Sequence, residues 1–109
     1  METKIINDNP SIVSDDIINV LKSVFDPEID FSVYDIGLIY EVRIEITDIF
    51  IVMTLTSVNC PEAQTLPEMV KNAVEKFCPQ LKVSVEVTFE PEWTVDSMTD
   101  EVMLRLGLL

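Results

Sequence analysis

Two adjacent stretches constrain the fold most: LIYEVRIEI at 38–46 and IFIVMTLT at 49–56, parted only by Thr47-Asp48. The first alternates. Tyr40, Val42, Ile44 and Ile46 share one face, and Glu41, Arg43 and Glu45 share the other, the pattern of a half-buried strand. The second is an almost unbroken apolar run, as expected of a central strand. A two-residue separation joins such a pair as a hairpin. The chain therefore needs a sheet, with further elements to cover its apolar face.

Those elements can be read on either side. Residues 1–12 are polar enough to be a flexible arm. Ser14 precedes Asp15 and Asp16, a helix start with acidic residues where the helix dipole favours them. Ile17, Leu21 and Val24 follow at helical spacing, widened by Ile18 and Phe25, and the helix is expected to stop before Pro27. Leu66, Val70, Ala73, Val74 and Phe77 mark a second amphipathic helix. It begins near Leu66, with Thr65 and Glu68 at capping-box spacing and Pro67 in the first turn. KVSVEVTFE at 82–90 alternates as a third strand. A last helix starts at Asp96 or Ser97, contains Val102, Leu104 and Leu106, and ends at Gly107. The order is α-β-β-α-β-α. It predicts a two-layer α+β domain over 13–109, a small three-stranded mixed sheet with helices packed on one face.

Charge narrows the partners. Twenty acidic and 7 basic residues give a net charge of −13 over 109 residues. Nucleic acid and anionic membranes are disfavoured, since both need clustered Lys and Arg. Basic protein surfaces fit better, although the charge also serves solubility. Hydrophobic residues at 48% exclude a disordered acidic chain. Two cysteines do not make a disulfide framework. No signal peptide or membrane-spanning run is visible, so a cytoplasmic chain with reduced thiols is expected.

TSVNCP at 56–61 lies where the second strand ends and the second helix approaches. Cys60 can be a small buried hydrophobe, a nucleophile or a metal thiolate. Backbone N–H groups at a helix start lower the pKa of a nearby thiol. The chain has no histidine, which excludes a Cys–His pair. Asp26 and Glu28 are the candidate carboxylate bases, and their plainer role is turn geometry around Pro27. A structural zinc or a cubane cluster needs four ligands, so Cys60 can supply only one ligand to a shared site. Cys78, just before Pro79, reads as packing. Gly37 reads as a turn glycine, with Leu38 and Ile39 packing beside it. Trp93 is either a lid on the core or a partner anchor. With glycine only at 37 and 107, no phosphate-binding glycine loop exists.

Taken in order, DPEI at 26–29, YDIGLIYEV at 34–42, TSVNCP at 56–61, PEWT at 91–94 and LG at 106–107 resemble the MIP18 family. That family is also known as the DUF59 or iron–sulfur cluster assembly (FSCA) domain. The resemblance runs from about Ile17 to Gly107 and is similar to the SufT type of single-domain accessory factor. It implies an α+β fold and a role in maturing iron–sulfur proteins without enzymatic turnover. Cys60 is then the functional thiol, a transient ligand for iron or a cluster, or a group exchanging with a partner's ligand. The hydroxyls of Thr56 and Ser57 support it, and Asp26 and Glu28 brace the loop or accept a proton. Asn59 departs from the glycine common at that place in the family. The implied partners are assembly proteins or client apo-proteins, with a homodimer bridging two Cys60 thiols as one arrangement. Beside a thiol enzyme with Cys60 as nucleophile and Asp26 or Glu28 as base, two further alternatives to this reading stand. One is an interaction adaptor with a structural Cys60. The other is an accessory protein of phenylacetyl-CoA ring oxygenation, ranked lower because the sequence lacks that branch's cysteine-rich C-terminal segment.

Overall fold

The computed structural model describes residues 3–26, 30–56 and 65–107. Its centre is the expected hairpin. Ile39–Ile44 (β4) and Asp48–Met53 (β5) pair antiparallel. The strands outside them pair parallel: Lys4–Asn7 (β1) with β4, and Lys82–Val87 (β6) with β5. The sheet order is β1-β4-β5-β6. Parallel pairs need crossovers, and the helices supply them. Ser14–Lys22 (α1) lies between β1 and β4 in the chain, and Thr65–Phe77 (α2) lies between β5 and β6. Phe25–Asp26 (β2) and Phe31–Ser32 (β3) form a separate two-residue ladder, and Asp100–Arg105 (α3) comes last.

One core cluster joins α1 (Ile17, Leu21) and α2 (Leu66, Val70, Val74) to one face of the sheet, through Val42, Ile44, Ile49, Ile51, Met53 and Val83. Arg43, Phe50 and Glu86 are exposed on the opposite face. Both crossover helices therefore cover one side of a mixed sheet, as the two-layer reading expects.

The three-stranded count is corrected to four strands in this sheet, because part of the presumed arm is β1. Ile5 pairs beside Val42 and packs on the core. The polar residues after it are tied down rather than loose. Asn7 donates from Nδ2 to Ile12 O (2.8 Å) and to Ser14 Oγ (3.0 Å). Asn9 donates to Glu45 O at 3.1 Å and accepts from Ser11 N at 2.9 Å, which fixes the β1–α1 turn onto the β4–β5 hairpin. Asn side chains satisfy backbone groups this way in turns.

The alternation in β4 is also corrected. Ile39 pairs with Met53 but Glu41 pairs with Val52, so Tyr40 is a bulge residue. The bulge shifts the phase, and Ile39 joins Val42 and Ile44 in the core. Ile46 falls in the turn, 62% exposed. β5 is central as expected, yet its apolar run is not buried on both faces, since Phe50 is exposed and Val52 only half-buried. α1 ends at Lys22, and Phe25 belongs to β2. Phe77 lies outside the packed stripe of α2, 48% exposed. β6 stops at Val87, leaving Phe89 exposed. A short 3₁₀ turn at Val95–Ser97 precedes α3, whose N-cap Thr99 accepts from Val102 N. Gly107, at φ +78°, follows the helix as expected, while Leu104 and Leu106 stay exposed and only Val102 of that trio is buried. Among the described residues, no helix is long and apolar enough to cross a membrane.

Candidate functional site

The described parts of four sequence motifs, Asp26, residues 34–42, Thr56 and residues 91–94, meet at one end of the sheet. Thr54 N donates to Leu38 O (2.8 Å), Leu38 N to Val33 O (3.0 Å), and Val33 N to Val24 O (2.8 Å). This relay links the C-terminal end of β5, with Thr56 just beyond it, to the β2–β3 hairpin that carries Asp26. The start of β4 lies at the same end, since Ile39 pairs with Met53. So does the end of β6, where Val87 also pairs with Met53.

The segment after β6 then crosses back over the YDIGLIY motif. Tyr40 donates its hydroxyl to Pro91 O (2.8 Å), and Trp93 donates Nε1 to Ile36 O (2.7 Å). Thr99 N donates to Asp35 O at 2.9 Å. Gly37 has φ +80°, and a Cβ there would lie 2.3 Å from Ser97 O. Glycine thus serves both the turn and this close approach. Trp93 packs half-buried against the core with its N–H used inside the chain, the geometry of a lid. Only the part of its ring left open is available to a partner.

Asp26 is 1% exposed. Burying a carboxylate costs several kcal/mol unless it is hydrogen-bonded. Among the described residues, no buried side-chain polar atom lacks a hydrogen-bond partner. The Asp26 carbonyl also accepts from Asp30 N at 2.8 Å, and Asp30 holds the left-handed conformation at φ 63°, unusual for a non-glycine residue. Thr56, the last described residue of its segment, is half-buried. Glu28, Ser57, Asn59 and Cys60 lie outside the described residues. The described chain continues with α2 at Thr65, and the first turns of this helix carry a surface depression of about 410 Å³ lined by Thr65, Glu68, Met69 and Asn72.

Sequence reasoning missed two buried hydroxyl residues here, Thr54 and Ser32. Thr54 is fully buried and hydrogen-bonds with Tyr40. Burial pushes the Tyr40 hydroxyl above its ordinary 10.0, and that hydrogen bond partly opposes the push. Ser32 Oγ donates to Asp35 Oδ2 (3.0 Å) and accepts from Asp35 N (3.0 Å), closing the turn before Gly37. The available signal was a hydroxyl residue at the end of an apolar strand run.

Cys78 is 2% exposed in the core cluster, as its packing role requires. Burial first, and the charge of Asp16 second, push its thiol above the ordinary 9.0. A thiol held protonated is a poor metal ligand. Among the described residues, no three Cys, Asp or Glu side chains group to hold a metal ion.

Comparisons with known proteins bear on the family and the fold. A family model described as iron–sulfur cluster assembly protein matches residues 14–87. An Fe–S protein maturation auxiliary factor of Porphyromonas gingivalis is 45% identical over 96 residues, covering 87% of this chain and 91% of the relative. The Bacillus subtilis Fe–S protein maturation auxiliary factor YitW is 33% identical over 98 residues, covering 88% of this chain and 95% of the relative. The crystal structure of a DUF59 domain from Bacillus anthracis superposes with a TM-score of 0.80 at 28% identity, covering 87% of this chain and 92% of that one. The chain belongs to the iron–sulfur cluster assembly protein family, also called DUF59 or MIP18.

Proposed function

We propose that this chain is an auxiliary factor in iron–sulfur protein maturation, acting in the cytoplasm without enzymatic turnover. The names of its relatives support the process. The observation that supports the reading is that Asp26, Thr56 and the motifs at 34–42 and 91–94 come together at one end of the sheet. Iron or a cluster is cargo here rather than a resident group. Cys78 is buried and held protonated, which leaves Cys60 as the thiol for that cargo. One thiolate cannot complete a cluster site, so the remaining ligands come from a client, an assembly protein or a second copy. Thr56 and Ser57 supply hydroxyls beside the thiolate, where hydrogen bonds to sulfur tune cluster stability. In this reading the buried Asp26 and its motif neighbour Glu28 support Cys60 or accept its proton.

Anaerobic reconstitution with ferrous iron and sulfide, comparing wild type with Cys60→Ser, tests the ligand role. Wild type develops visible charge-transfer absorption with iron and sulfide retained after desalting, and Cys60→Ser does not. Equal retention by both proteins removes Cys60 as a ligand. Equal maturation of clients by both would instead favour an adaptor with a structural Cys60.

A further inference from the structure

The β2–β3 hairpin and α3 form the walls of a groove of about 370 Å³. The pleat sets its chemistry. Asp26 turns inward and is buried, so its neighbour Phe25 turns outward and is 48% exposed. Phe25 and Phe31 make the groove apolar, while Asp30, Asp35 and Glu101 line it with carboxylates. The one cation among its described lining residues, Arg105, is held by Glu101 at 3.1 Å. An exposed aromatic beside surplus negative charge selects a cation next to an apolar group. The ring face adds cation–π attraction, and the carboxylates add ion pairs. The whole chain carries −13, which steers a basic partner towards it and repels nucleic acid, anionic lipid and another copy of itself.

We propose that this groove docks a segment of a partner protein in which a lysine or arginine stands beside a large apolar side chain. The inference rests on the auxiliary-factor reading and names the surface through which it meets other proteins. The groove borders the hairpin carrying Asp26, so a docked segment lies at the motif end of the sheet.

The test is amide chemical-shift mapping on the full chain, titrated with the peptide acetyl-Leu-Arg-Phe-Lys-Leu-amide. A second peptide has both cations replaced by glutamine. The shifts are expected to concentrate at Phe25, Phe31, Asp35 and Arg105, and to shrink at high salt. Binding of the charged peptide is expected to weaken about fivefold in Asp30→Asn/Glu101→Gln, from the loss of two exposed ion pairs. It stays unchanged in Glu86→Gln, a charge on the open sheet face. The comparison of the two peptides uses wild-type protein alone, so it stands even if the double variant folds poorly. Shifts spread over the whole acidic surface, equal binding of the glutamine peptide, equal weakening by Glu86→Gln, or no groove shifts at millimolar peptide overturn the proposal. Failure here with Cys60→Ser still blocking maturation removes the docking surface alone. Groove binding with maturation unaffected by Cys60→Ser leaves a basic-peptide module and removes the thiol role.

Discussion

Gly37 holds the turn into β4 and also admits Ser97. A methyl group there meets a backbone carbonyl at 2.3 Å and forces a left-handed conformation on an L residue. Gly37→Ala is expected to destabilise the fold by at least about 2 kcal/mol in urea unfolding. Gly107→Ala has open space around its Cβ and should cost only about 1 kcal/mol, the left-handed conformation alone. Equal effects at the two glycines would show that the Ser97 contact is unimportant. The turn at Gly37 was legible in the sequence because a glycine between apolar residues is a local signal. The contact with Ser97 was not, because it depends on where a distant segment returns. Cys78 carries a pH prediction. Its thiol pKa is raised in the folded state, so the folded chain holds that proton more tightly than the unfolded chain. The resulting stability is present below the ordinary 9.0 and is lost as pH rises through the raised value. Tyr40 acts in the same direction above 10.0. Urea midpoints should therefore fall on the alkaline side, with a shallower slope in Cys78→Ala as pH rises above the ordinary 9.0. An unchanged slope there assigns the loss elsewhere.

β1 shows what periodicity cannot reveal. Four residues, KIIN, are too few to display a period, and the polar run behind them resembles a loose arm. Parallel pairing with β4 and the hydrogen bonds of Asn9 place the strand instead. Asn9→Ala removes those bonds and leaves hairpin carbonyls without their donor, at a cost of about 1–2 kcal/mol. Hydrogen exchange should then speed up over Lys4–Asn7 before it does in β5. Unchanged protection of β1 would mean that pairing alone holds it. The bulge at Tyr40 was also hidden, because a two-residue period carries no mark of an inserted residue. The central hairpin, the crossover helices and the covered face were legible, since strong apolar patterns at both periods dictate them. At the C-terminal side, Trp93→Phe keeps most of the ring and loses the 2.7 Å bond to Ile36 O. A loss of about 1 kcal/mol is expected. Since Trp93 is the chain's one tryptophan, wild-type fluorescence should report release of this clasp during unfolding.

At the scale of the whole molecule, −13 on 109 residues sets two behaviours. Like charges repel across a small compact body, so added salt up to about 0.15 M should raise Tm by screening them. A Tm independent of salt would mean that the charges are already too far apart to matter. The same field favours basic partners and makes association with a second copy depend on local contacts. The motif segments could be located in the sequence one by one, but their meeting at one sheet end follows from register and the backbone relay through Leu38 and Val33. The central claim is that this end of the molecule serves iron–sulfur protein maturation through Cys60. The most direct measurement is the activity of an iron–sulfur enzyme in cells lacking this chain, complemented with wild type or Cys60→Ser at equal protein levels. Restored activity with wild type and none with Cys60→Ser is the predicted result; equal restoration by both would contradict the claim.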